Sequence, residues 1–243
     1  MVYCAPVLSV VAFMSCLLVV DASSALCSVA VGLQENHWHI SEHQPRGHAQ
    51  RLLPMVSEVL VQAGIQRQQL QGIAYGRGPG SFTGIRIAAS VMQGIALALD
   101  IPVAGISSLQ AVAQQVLDSS SADRVMAVMD AHMGEVFWGL YERDGEYSRL
   151  IGQEHVGSPD LFLQTVADMD CPLAGNGLAL ESLADLDGQY KEVQPLALTM
   201  LKLAEPVWQG GGFGAVDEHQ PVYLRDTVAW KKLDEQPSLL NRS

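Results

Sequence analysis

No lysine occurs between Met1 and Tyr190, and charged residues of both signs make up only 16% of the 243-residue chain. The first absence excludes the phosphate-gripping loop G-x-x-x-x-G-K-[ST], in which a lysine reaches the phosphates. The shortage of basic residues argues against unaided binding to nucleic acid. Fourteen Lys and Arg stand against 26 Asp and Glu, for a formal charge of −12, whereas a polyanion is bound by basic surface that displaces its counterions. The arginines from Arg46 to Arg124 are scattered, not clustered. Cysteine is scarce too. Cys4, Cys16, Cys27 and Cys171 form no Cys-x-x-Cys pair, so they read as reduced, buried thiols and not as a disulfide framework or a zinc site.

A positive segment is also missing ahead of the apolar run Val7–Val20, which therefore lacks the start of a signal peptide. The run is short for a membrane span. Cys16–Asp21 reads instead as a buried first strand that ends in an acidic residue. Met14 is then the natural start, and residues 1–13 are an extension or a misplaced start. A cytoplasmic chain without membrane contact is expected.

What is present is apolar: 49% of the residues are hydrophobic, enough for one large domain or two lobes with separate cores. After the first strand, Leu26–Leu33 and His37–His43 read as further strands of a meander. Leu52, Leu53, Val56, Val59, Leu60 and Ala63 fall on one helical face of a segment that Gly64 ends. A short strand at 72–76, a helix over 84–99, a strand at 101–108 and a helix near 109–117 follow. The pattern then restarts with a strand at 124–131 and a hairpin turning at Asp144-Gly145. A helix capped by Ser158 comes next, with Pro159 at its first position. Helices near 177–186 and 196–209 complete it. Two successive modules of strands then helix predict an α/β chain of two lobes with mixed sheets. The lobes are taken as 14–104, which 218–232 can rejoin, and 105–217.

The segment YGRGPGSFTGIR, Tyr75–Arg86, carries the chemistry question. Its glycines miss the third position of the dinucleotide fingerprint G-x-G-x-x-G. Ser81 stands one place away from where a G-x-S-x-G nucleophile would be. A strand-to-helix turn remains, with Ser81 or Thr83 capping the helix. The helix that follows combines small residues (Gly84, Ala88, Ser90, Gly94) with apolar ones on nearly every face. Such a helix is buried on all sides, one of which is left for another helix or another protein.

The segments VVDASSALCSVAV, HAQRLLPMV, YGRGPGSFTGIRIAAS, MDAHMGEVFWGLY and PVYLRDTVAWKK together closely resemble the TsaB (YeaZ) family, from about Met14 to Lys232. This family is the bacterial accessory protein of tRNA threonylcarbamoyladenosine formation. The resemblance implies an actin-like ATPase fold of two RNase H-like lobes. It implies a non-catalytic partner of the transferase TsaD, which moves a threonylcarbamoyl group onto the adenosine beside the anticodon. TsaE would join the complex, a homodimer would form when the chain is alone, and tRNA would be met only through the complex. No catalytic residue, metal or cofactor of its own is implied, and ATP or ADP could sit only at the interface with TsaD. The interface would use the two apolar helices, with His48, Leu52, Met55, Val59, Ser81, Phe82, Thr83, Arg86, Ser90 and Gly94 as candidates. Arg77, Arg86 and Asp21 are the candidate nucleotide contacts.

Two departures support the accessory reading. The transferase has H-x-x-x-H after a strand resembling PVAGI, where this chain has Ser108 and Val112, which are not strong metal ligands. Its phosphate loop corresponds to DAHMGE, with only Gly134 and an acidic neighbour. The competing reading is a glycoprotease-like hydrolase or an ATPase that uses the strand-end carboxylates Asp21 and Asp130. His39 and His43 have metal-ligand spacing without a third ligand, and an exposed polar edge accounts for them.

Overall fold

The computed structural model describes residues 15–44, 46–186 and 190–225. The expectations for 1–13, for Cys4 and for 226–232 lie outside the described residues.

In chain order the first lobe holds β1 (Cys16–Asp21), β2 (Leu26–Leu33), β3 (Asn36–His43), α1 (His48–Ala63), β4 (Gly72–Gly78), α2 (Phe82–Leu99) and β5 (Val103–Ser107). The sheet order is β3-β2-β1-β4-β5. β1, β2 and β3 run antiparallel as a meander, whereas β4 and β5 lie parallel to β1 and β4. Every residue of β1 is buried, as a central strand covered on both faces should be. Alternate side chains divide the work. Leu18, Val20, Val29, Val31, Ile73 and Tyr75 pack beneath α1 and α2.

The second lobe begins with α3 (Ser108–Ser119), followed by β6 (Arg124–His132), β7 (Glu135–Asp144), β8 (Tyr147–Gly157), α4 (Pro159–Val166) and β9 (Leu173–Ala174). The sheet order β8-β7-β6-β9 repeats the order and the strand senses of β3-β2-β1-β4. The expected duplicated, two-lobed α/β architecture is therefore present. The Ser158 hydroxyl accepts the Leu161 amide at the start of α4, and Pro159 occupies its first turn.

Two elements differ from the expectation. The helix expected near 177–186 is a pair of short 3-10 turns, Asn176–Ala179 and Glu181–Leu183. The reason is close packing. A Cβ on Gly177 would crowd Val128 Cγ2 at 2.7 Å and the Met129 backbone at 2.9 Å, so the segment is tucked against β6 where a full helix has no room. The second is α5 (Ala197–Gln209), which the chain order groups with the second lobe. It packs on the first sheet, where Met200, Leu201 and Ala204 cover Leu17, Val19, Ala30 and Ala74. An amphipathic spacing shows that a helix has an apolar face; it does not say which sheet that face covers.

Among the described residues, α2 alone is long and apolar enough to cross a membrane, by length and composition. In this fold one face of it is core: Ile85, Ala88, Ala89, Met92 and Ala96 are buried.

Candidate functional site

The glycine-rich turn is a device for close approach. Two of its glycines, Gly80 and Gly84, meet the turn after β1 at Ala22 and Ser23. A Cβ on Gly80 would collide with the Ser23 carbonyl, and one on Gly84 would collide with the Ala22 carbonyl. The Ser81 amide donates to the Ser23 carbonyl at 2.7 Å. The Ser81 hydroxyl accepts the Gly84 amide at 3.3 Å and so caps α2. Gly78 has φ +100 and precedes a cis proline. Ser81 is thus occupied with capping, and the turn's role is to seat the first residues of α2 against β1.

Asp21 is fully buried at the end of β1. Its Oδ1 accepts the Ser23 amide at 3.3 Å, and a Cβ on Gly76 would collide with that same oxygen. Burial pushes the carboxyl up to about 7, against the weaker opposing pull of Ser23 and Ala22 hydrogen bonds. It does not line the cleft between the lobes, so the structure does not bring this candidate nucleotide contact to a ligand surface.

That cleft has a volume of about 600 Å³. The first lobe lines it with Ser23, Ser24, Arg46, His48, Ser81 and Thr83, and the second with Met129, Asp130, His132 and Asn176. Asp130 is committed to its own turn. One carboxylate oxygen accepts the His132 amide at 2.7 Å and the other faces His132 Nδ1 at 3.2 Å. The Asp130 amide in turn donates to Asn176 Oδ1 at 3.2 Å. Asp21 and Asp130 therefore do not form a shared carboxylate pair in this cleft. His39 and His43 sit exposed on β3. Among the described residues no three His, Cys, Asp or Glu side chains group as a metal site would need.

A second depression, about 430 Å³, runs between α1 and α2 and is almost wholly apolar. α1 contributes Leu53, Val56, Ser57 and Leu60, and α2 contributes Ser90, Val91, Gly94, Ile95, Ala98 and Leu99. Leu53 is 51% exposed and Leu97, on the same stretch of α2, 73% exposed. The expected interface residues divide here. Ser90 and Gly94 line the groove, and nothing lies within 4 Å of a Cβ built on Gly94. His48, Leu52, Met55 and Val59 do not; all four are buried. The last three belong to the core beneath the helix, while burial holds the His48 imidazole below its ordinary value. What separates the two sets is helical phase. α1 has two apolar stripes, and the deeper one goes to its own sheet. Leu53, 51% exposed, stands on the outer side of α1, whereas Leu60, which also lines the groove, is itself core.

The two arginines beside the turn part company. Arg77 lays its stem across Gly105, where a Cβ would come within 2.9 Å of it, and lines a separate depression with Tyr147 and Leu203. Arg86 stacks its guanidinium 3.7 Å over the ring of Phe82 and bonds the Tyr223 hydroxyl through Nε at 3.1 Å. Phe82 is 51% exposed. Arg77 and Arg86 do not converge on one anion. Tyr223 was missed because it lies far off in sequence, beyond the reach of any local motif.

Residues 40–203 match the family model described as TsaD, tRNA N6-adenosine threonylcarbamoyltransferase. Among curated proteins, the tRNA threonylcarbamoyladenosine biosynthesis protein TsaB of Escherichia coli is 37% identical over 231 residues, covering 89% of this chain and 97% of that protein. The protein of the same name from Haemophilus influenzae is 37% identical, covering 89% and 96%. A solved structure titled YeaZ, from Pseudomonas aeruginosa, superposes with a TM-score of 0.79 at 37% identity, over 87% of this chain and all of that one. The chain belongs to the TsaB (YeaZ) family. The actin-like fold of two RNase H-like lobes follows from that membership and agrees with the duplicated sheets. For this TsaB-family chain the positions of the transferase histidines have a plain structural fate. Ser108 and Val112 are fully buried in α3. The turn in place of the phosphate loop offers one glycine, Gly134, at φ +79, beside the committed Asp130.

Proposed function

We propose that this chain is a non-catalytic subunit that docks a relative of its own fold, the TsaD transferase, through the groove between α1 and α2. It thereby supports threonylcarbamoyl transfer to the adenosine beside the anticodon of tRNA in the cytoplasm. The observation that carries the reading is the groove itself, an apolar surface floored by a small-residue helix that the fold leaves open. Small residues at Ser90, Gly94 and Ala98 let a partner helix approach closely, and apolar, well-packed surfaces of this kind suit stable dimers. The same face would pair two copies of the chain when TsaD is absent. On this reading TsaE joins the TsaD-containing assembly, tRNA is met only through it, and any ATP or ADP is held jointly with TsaD. The alternative of a hydrolase or ATPase acting alone has less support, because Asp21 is buried behind the cleft and Ser81 is a helix cap.

Light scattering on size-exclusion fractions tests this, with the chain alone and then mixed with TsaD of the same source. A one-to-one complex is expected with the native sequence. Gly94→Leu should abolish it while leaving the melting temperature undiminished, because the new side chain enters open space and a helical glycine is replaced by a better helix former. A complex that survives Gly94→Leu would place the interface elsewhere.

A further inference from the structure

Residues 219–225 start on the first lobe and end on the second. Tyr75 Oη donates to the His219 carbonyl at 3.1 Å, and the Val222 amide donates to the Arg77 carbonyl at 2.8 Å. Tyr223 lies with its ring 5.4 Å from that of Phe82, at the start of α2. Two residues later the chain has reached the opposite lobe. Arg225 Nη2 donates to the Ala131 carbonyl at 3.3 Å and also bonds the Glu135 carboxylate.

Ala131 and Glu135 flank the β6–β7 hairpin turn, whose two loop residues Met133 and Gly134 have the positive φ pair such hairpins use, with His132 before them left-handed as well. His132, Met133 and Gly134 have φ values of +60, +56 and +79, three left-handed residues in succession, two of which carry side chains. The pairing of β6 with β7 shifts register there. At His132 and Met133, which carry side chains, left-handed backbone is uncommon and is held by what surrounds it. Asp130 holds His132 through its amide and Nδ1, and Arg225 bonds the residues on either side of the turn, Ala131 and Glu135.

We propose that this C-terminal strap holds the 132–134 turn in its left-handed form, and that the aromatic cluster at the start of α2 sets the strap. Disturbance at Phe82 is then felt at the lip of the cleft, through Tyr223 and Arg225. The coupling is a property of the isolated chain, so it stands or falls separately from partner docking.

Amide hydrogen exchange on the full chain tests it, comparing the native sequence with Phe82→Ala and Arg225→Ala. Both variants should speed exchange of the amides at 131–135 by about tenfold or more, with the β1 and β4 amides unchanged. No change at the turn in either variant overturns the proposal. A change with Arg225→Ala and none with Phe82→Ala overturns the link to α2. If Phe82→Ala also speeds the β1 and β4 amides, Phe82→Leu, which keeps bulk and removes the ring, decides. Faster turn exchange with a quiet core supports the coupling, and an unchanged turn overturns it.

Discussion

Replacing Asp21 by Asn should stabilise this protein at neutral and alkaline pH, by an amount that grows with pH. The folded-state carboxyl is raised from 3.8 to about 7. Below about pH 4 both folded and unfolded chains hold the proton. Between 4 and 7 only the folded chain does, so unfolding releases it and stability falls by about 1.4 kcal/mol for each pH unit. Above about 7 neither holds it and the loss levels off. Across the whole window the loss comes to about 4 kcal/mol. Asparagine keeps the side-chain shape and an oxygen for the Ser23 amide. Urea unfolding of both proteins at pH 4.5, 6 and 8, followed by tryptophan fluorescence, gives the difference directly, because other titrating groups cancel. An advantage for Asn that rises with pH is expected. A flat difference, or one that shrinks as pH rises, would refute the assignment of Asp21 as a carboxyl kept neutral by burial.

Gly84→Ala should destabilise by about 1–3 kcal/mol, because its methyl would collide with the Ala22 carbonyl and push α2 off β1; chemical denaturation measures this, and an unchanged midpoint would contradict the close approach. Glu154→Ala should cost about 1–3 kcal/mol. The Glu154 carboxylate accepts from Ser107, the last residue of β5, and from the buried Tyr141 hydroxyl at 2.6 Å, so without it the two hydroxyls are left with only their own 3.4 Å contact; Glu154→Gln, which keeps an acceptor, should cost less in the same assay.

Much of the fold was legible because its signals are local. The meander, the Gly64 stop, the Ser158–Pro159 start and the Asp144-Gly145 hairpin each depend on a few adjacent residues with a fixed backbone preference. The strand-to-helix nature of the glycine-rich turn was legible by elimination, since each chemical motif failed at a specific residue. The outer face of α1 was not. Leu52 and Leu53 are equally apolar, and only the position of the sheet decides that the first is buried and the second exposed. The placement of α5, the separation of Arg77 from Arg86, and the joining of Tyr223 to Phe82 all rest on tertiary packing, which no single-chain periodicity contains. Asp21 was legible as a strand-end acid, but its burial behind Gly76 was not.

The position of α5 has a bearing on how the chain is made. Ribosomes deliver the N-terminal end first, at about 5–20 residues per second. Eighty-nine residues lie between the end of β5, Ser107, and the start of α5, Ala197, a delay of about 5–20 s. Throughout it one face of the first sheet, with Leu17, Val19, Ala30 and Ala74, lacks its cover. The second sheet closes from neighbouring hairpins in the meantime. The nascent first lobe therefore waits, half-finished, for the tail of its own chain, and this interval is when it is most exposed to aggregation.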